Sequence, residues 1–91
     1  MIRVTIYSKS GCHLCDDMKA LVTRVAATLP QPPVVDEVDI TTDPELEARY
    51  ALEIPVLMID GRKAAKYRVS EPELRRLLQA RESSGSRGSV G

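Results

Sequence analysis

The only two cysteines in the 91 residues, Cys12 and Cys15, stand three positions apart. At i and i+3 on a helix their side chains share one face with Cβ atoms about 5–6 Å apart, a separation from which a disulfide can close. Three chemistries compete for such a pair. A purely structural cross-link over so short a loop removes only about 2 kcal/mol of unfolded-chain entropy, and a reducing cytosol would open it. A zinc site needs four ligands, but His13 and nearby acids are the only further candidates and no second cysteine pair follows. No metal site is therefore expected. Thiol–disulfide exchange needs only the two sulfurs, one of them ionised.

A free thiol titrates near about 8.5, so exchange at neutral pH requires that value to fall for the attacking sulfur. Cys12 is predicted at a helix N-terminus, where unpaired amides and the macrodipole favour an anion by about 0.3–1 kcal/mol, and by about 2 kcal/mol when partly buried. Lys9, three residues earlier, and His13, immediately after, add attraction. Asp16 and Asp17 oppose it, by roughly 0.5 kcal/mol each if ~8 Å away in a water-like dielectric. The balance predicts a more acidic Cys12. Position sorts the catalytic roles: Cys12 precedes the first full turn and faces solvent, whereas Cys15 lies one turn in and is shielded. Cys12 is thus expected to attack a substrate disulfide and Cys15 to resolve the mixed disulfide. His13 is read as an exposed residue that tunes acidity, and the aspartates as charge complementing the helix dipole.

The elements that must hold this pair follow from periodicity. Ile2, Val4 and Ile6 alternate with Arg3, Thr5 and Tyr7 as a first strand. From Cys12 the period becomes helical, with Leu14, Met18, Leu21, Val22, Val25 and Leu29 on one side, until Pro30, Pro32 and Pro33 stop it. Val34–Ile40 reads as a polar edge strand. Asp43 as N-cap and Pro44 at the first helical position predict a short helix to about Tyr50. Val56–Ile59 is a continuous apolar run suited to a central strand, and Asp60-Gly61 is a type I′ hairpin signal leading into a fourth strand at Lys63–Val69. Ser70-Glu71-Pro72-Glu73 reads as a capping box, with Leu74, Leu77 and Leu78 as the stripe of a last helix. The order β-α-β-α-β-β-α predicts one mixed four-stranded sheet covered by helices in an α/β domain over 1–80. Residues 81–91 read as a disordered tail, since "SSGSRGSVG" offers only Val90 for burial.

Composition excludes other classes. Thirteen basic and thirteen acidic side chains balance, and no basic cluster interleaves with aromatics, so nucleic acid is not an expected partner. No run approaches membrane-spanning length, and no apolar leader precedes the first strand. A cytoplasmic monomer is expected. Phe and Trp are absent, which predicts an aliphatic core of Val, Leu, Ile, Met and Ala.

A Cys-x-x-Cys beside a βαβ pattern is a thioredoxin-like redox signature. More specifically, "YSKSGCHLC" resembles the active-site segment of glutaredoxins, and "EIPVLMIDGRK" resembles their stretch from the cis-proline through the β-hairpin. The likeness runs to about Ala80. It implies a thioredoxin fold, a cis Ile54–Pro55 peptide bond and thiol–disulfide oxidoreductase activity on protein or glutathione disulfides. It implies no permanently bound cofactor, with glutathione or a reductase supplying electrons. It also implies substrate-binding roles: Lys9 matches the lysine that helps hold the thiolate and a glutathione carboxylate. Pro55 matches the proline that faces the cysteines and lets the backbone of Ile54 pair with a thiol substrate. His13 stands where many glutaredoxins have proline. The Gly-Gly and acidic residue that hold the glutathione γ-glutamyl carboxylate are replaced here by Ala64-Ala65-Lys66-Tyr67-Arg68-Val69-Ser70. Two other classes fit the same resemblance: an iron–sulfur cluster carrier using one cysteine from each of two subunits plus glutathione, and a non-catalytic interaction module.

Overall fold

The computed structural model describes the backbone of residues 1–90 and the side chains of residues 1–81. In chain order the elements are β1 (Arg3–Ser8), α1 (His13–Ala26), β2 (Val34–Asp39), a 3₁₀ turn (Ile40–Thr42), α2 (Pro44–Tyr50), β3 (Val56–Ile59), β4 (Arg62–Lys66) and α3 (Glu71–Val90). One sheet holds all four strands in the order β2-β1-β3-β4. β1 pairs parallel with β2 and antiparallel with β3, and β3 pairs antiparallel with β4. The polar strand β2 is thus an edge and the apolar β3 is internal, as their compositions require.

Alternation along β1 sends Val4 and Ile6 to one face, where they meet Met18, Val22 and Val25 of α1, Leu57 and Ile59 of β3, and Leu74 and Leu78 of α3. The opposite face carries a smaller cluster of Ile40, Tyr50 and Val56, with Tyr7, Leu46, Ile54 and Met58 packed on it. Here the expectation of a wholly aliphatic core is corrected: Tyr50 is buried and stacks on Tyr7 with ring centroids 4.9 Å apart. Stacked aromatics fill volume that no single aliphatic side chain would span.

Local signals set most boundaries. Asp43 caps α2 through the Glu45 amide at 2.9 Å, with Pro44 in the first turn. Asp60 and Gly61 both have positive φ, 50° and 82°, as a type I′ turn demands. Ser70 Oγ accepts from the Glu73 amide at 3.2 Å, one half of the predicted capping box.

Three boundaries differ from expectation by more than two residues. α1 ends at Ala26 rather than reaching Leu29, because the Thr28 hydroxyl and amide both bond to the Val25 carbonyl, at 2.7 and 3.0 Å, and draw it from the helical ladder. β4 ends at Lys66 rather than Val69, because Tyr67 takes a left-handed φ of 69°. A register shift opposite Leu57 and Met58 also bulges β4 at Ala64. α3 continues to Val90, so the backbone is helical over most of the stretch 81–91 assigned by composition to a disordered tail. Arg81 Nε holds Asp60 at 2.6 Å, so the helix is anchored to the hairpin just past its expected end. Extending an anchored helix costs far less than nucleating one. The side chains beyond Arg81 lie outside the described residues. Among the described residues no helix is long and apolar enough to cross a membrane.

Candidate active site

β1 delivers the chain to the sheet end at Ser8, and a turn over Lys9–Cys12 redirects it into α1. The turn is closed by the Cys12 amide donating to the Lys9 carbonyl at 3.3 Å. Gly11 takes φ 80° within it, a conformation that favours glycine. Cys12 is therefore the N-cap of α1, with extended φ and ψ of −96° and 107°. Its sulfur accepts a hydrogen bond from the Cys15 amide at 3.1 Å, and its carbonyl accepts from the Asp16 amide at 3.1 Å. A sulfur thus occupies the place where Ser or Asp usually satisfies an orphan amide.

Cys12 and Cys15 are joined by a disulfide with their Cα atoms 5.2 Å apart. Their environments differ as the one-turn offset requires: Cys12 is half-buried at the helix mouth, whereas Cys15 is 1% exposed. An incoming sulfur thus has access to Cys12 and not to Cys15.

The remaining predicted site residues fall around this pair at one end of the sheet. Tyr7 of β1 pairs with Val56 of β3, so Pro55 lies at the same sheet end as the turn into Cys12. The Ile54–Pro55 peptide is cis, Pro55 is fully buried, and its carbonyl accepts from the Tyr67 amide at 2.9 Å. Ile54 is half-buried against the cluster around Tyr50. His13, the first residue of α1, is exposed beside Cys12. The exposed Lys9 side chain lines an open cleft of about 420 Å³ shared with Ser8, Asp16, Lys19, Glu37 and Asp39.

That cleft contains a polar constellation that single-residue patterns did not reveal. Ser8, the one buried polar residue of the described core, donates to Glu37 Oε2 at 2.9 Å, and Lys19 Nζ bonds Glu37 Oε1 at 2.8 Å. The Lys19 bond, and then the Ser8 hydroxyl, hold the Glu37 carboxyl below its ordinary range. Lys19 is raised in turn by Glu37. Beside them, the Thr41 hydroxyl and amide lower Asp39, with Lys9 adding a smaller attraction. The available sequence signal was Ser8 in an inward-facing position of β1, where a polar residue needs a partner.

Tyr67 was also missed as a site-forming residue. Besides its amide bond to Pro55, its hydroxyl donates to the Leu52 carbonyl at 2.9 Å, so one side chain ties the end of β4 to the loop before Pro55.

A mixed four-stranded sheet flanked by helices, with a cysteine pair at the mouth of α1 and a cis-proline at the same sheet end, defines a thioredoxin-fold protein. The glutaredoxin-like domain family (DUF836) matches residues 3–79, and the chain belongs to that family. An uncharacterized protein from Mycobacterium tuberculosis is 28% identical over 87 residues, covering 92% of this chain and 89% of its own length. A Mycobacterium bovis protein, also uncharacterized, matches at the same level. Among solved structures, the structural genomics target XcR50 from X. campestris superimposes with a TM-score of 0.67 at 32% identity, over 85% of this chain and 96% of that one. Thioredoxin from Fasciola hepatica superimposes with a TM-score of 0.62 at 20% identity, over 87% and 79%, a likeness of fold.

Proposed function

We propose that the protein is a thiol–disulfide oxidoreductase in which Cys12 attacks and Cys15 resolves. In the reduced protein the Cys12 thiolate attacks one sulfur of a substrate disulfide, forming a mixed disulfide and releasing the first substrate thiolate. The Cys15 thiolate then attacks Cys12 Sγ, releases the second substrate thiolate and leaves the Cys12–Cys15 disulfide. Two protons complete the released thiols, and the two electrons return from a dithiol reductase or from glutathione. The reading rests chiefly on the hydrogen bond from the Cys15 amide to Cys12 Sγ. A donor already aimed at that sulfur stabilises negative charge there, and the helix terminus adds to it.

The test is reduction of a disulfide-containing protein by the pre-reduced chain, followed by recycling with glutathione and with a thioredoxin-reductase system side by side. Stoichiometric reduction that Cys12→Ser abolishes is expected. Folded, fully reduced protein that leaves the substrate disulfide intact would contradict the proposal. Whichever electron source sustains turnover identifies the partner.

A further inference from the structure

Two recesses lie near the cysteine-bearing turn, and they differ in polarity. One is a groove of about 290 Å³ that opens beside α1. It begins at Leu14, between the two cysteines, continues over Met18 and Leu21, and is closed by Tyr67 and Val69 of the segment between β4 and α3. Its charged members are Asp17 and Arg68, one of each sign. Leu14 and Tyr67 are 36% and 43% exposed, large apolar surfaces left open to water, with Leu14 in the helical turn that carries the cysteines.

The other is the polar cleft, where Lys9 and Lys19 face Asp16, Glu37 and Asp39. Two ammonium groups against three carboxylates leave it with a net charge of −1. Lys19 is engaged by Glu37. Lys66, a cation near the groove, sits over the Tyr67 ring at 5.4 Å from its centroid.

Each half of glutathione disulfide carries two carboxylates and one ammonium. Such an anion gains most from a surplus of cations, and the residues lining the two recesses supply none. A mostly apolar groove whose lining balances one acid against one base, and which starts at Leu14 between the two cysteines, instead gains from desolvating an aliphatic or aromatic side chain. We infer that the groove bounded by Leu14, Leu21, Tyr67 and Val69 receives an apolar side chain next to the cysteine of a polypeptide disulfide, making extended protein segments the substrate in preference to glutathione disulfide. The inference rests on the oxidoreductase reading.

The test measures second-order rate constants of the pre-reduced protein with three disulfides: a neutral capped peptide disulfide with leucine beside each cysteine, its counterpart with serine there, and glutathione disulfide. The leucine peptide is expected to react roughly tenfold or more faster than either of the others, the scale on which a hydrophobic pocket discriminates. Equal rates for the two peptides, or glutathione disulfide reacting as fast as the leucine peptide, would overturn the inference while leaving oxidoreductase activity in place. Reaction with none of the three would overturn that reading as well. In Leu14→Gln and, separately, Tyr67→Ser, the ratio of leucine to serine peptide rates should fall toward one. A ratio unchanged in both would show that the groove does not read the substrate. Because the readout is a ratio within one protein, a general loss of stability does not mimic the effect.

Discussion

The amide of Cys15 donates to the sulfur of Cys12 at 3.1 Å, so the residue proposed to resolve also directs a fixed dipole at the residue proposed to attack. The helix that shields Cys15 directs one of its free N-terminal amides at Cys12. Replacing Cys15 by Ser should keep that amide in place while removing the second step. Incubation of reduced Cys15→Ser with a protein disulfide should accumulate a mixed disulfide at Cys12, seen as a mass increase on the peptide containing that residue. Cys12→Ser should accumulate none.

The Ser8 to Glu37 bond makes a pH-dependent contribution to stability. The carboxyl of Glu37 is held below 4.5, its unperturbed value, by Lys19 and then by Ser8. A depressed folded-state value stabilises the fold above the unfolded value and loses that effect as pH falls through the folded one. Ser8→Ala should cost about 1 kcal/mol at pH 7, measured by urea unfolding. The cost should shrink as Glu37 becomes protonated, and a cost that stays constant down to pH 3 would show that the carboxylate is not the partner that matters.

Asp60 follows the same sign by a different route. The Arg3 amide, and then Arg81, hold its carboxyl below 3.8. The stabilisation is present above that value and fades below it. Asp60→Asn keeps a residue that tolerates positive φ and can still accept from Arg3, but it loses the charge facing Arg81. The variant should match the parent within about 0.5 kcal/mol at pH 7. It should also show a weaker fall in melting temperature between pH 4 and pH 2.

The large cluster has little redundancy. Leu57 is fully buried in β3, between the strands and both α1 and α3. Leu57→Ala should cost about 2–5 kcal/mol through lost transfer energy and the cavity left behind. That is a large share of the stability of a domain this size, so the denaturant midpoint should fall steeply with little change in slope.

How much of this was legible in the sequence depended on the range of the interaction. Asp43-Pro44 and Asp60-Gly61 act within a turn, and both formed the predicted structures. The apolar run Val56–Ile59 and the polar Val34–Asp39 announced an internal and an edge strand, because burial is averaged along a strand. Only Ser8, polar at an inward-facing position of β1, hinted at the Ser8–Glu37–Lys19 constellation, because its partners come from β2 and α1, far away in the chain. Tyr67 was read as strand because its composition suits one. Its left-handed backbone accompanies bonds to Pro55 and Leu52 that no local pattern encodes. Leu14 fitted the helical stripe but lies in the first turn of α1 and stands 36% exposed on the groove.

The claim on which the chemistry depends is that Cys12 is ionised and reachable at neutral pH while Cys15 is not. Alkylation of the reduced protein with iodoacetamide across pH 5–9, with each site read by peptide mass spectrometry, tests it directly. The account predicts that Cys12 is modified first at every pH, with a midpoint below the value of about 8.5 for a free thiol. Equal rates at the two cysteines, or a Cys12 midpoint at or above that value, would contradict it.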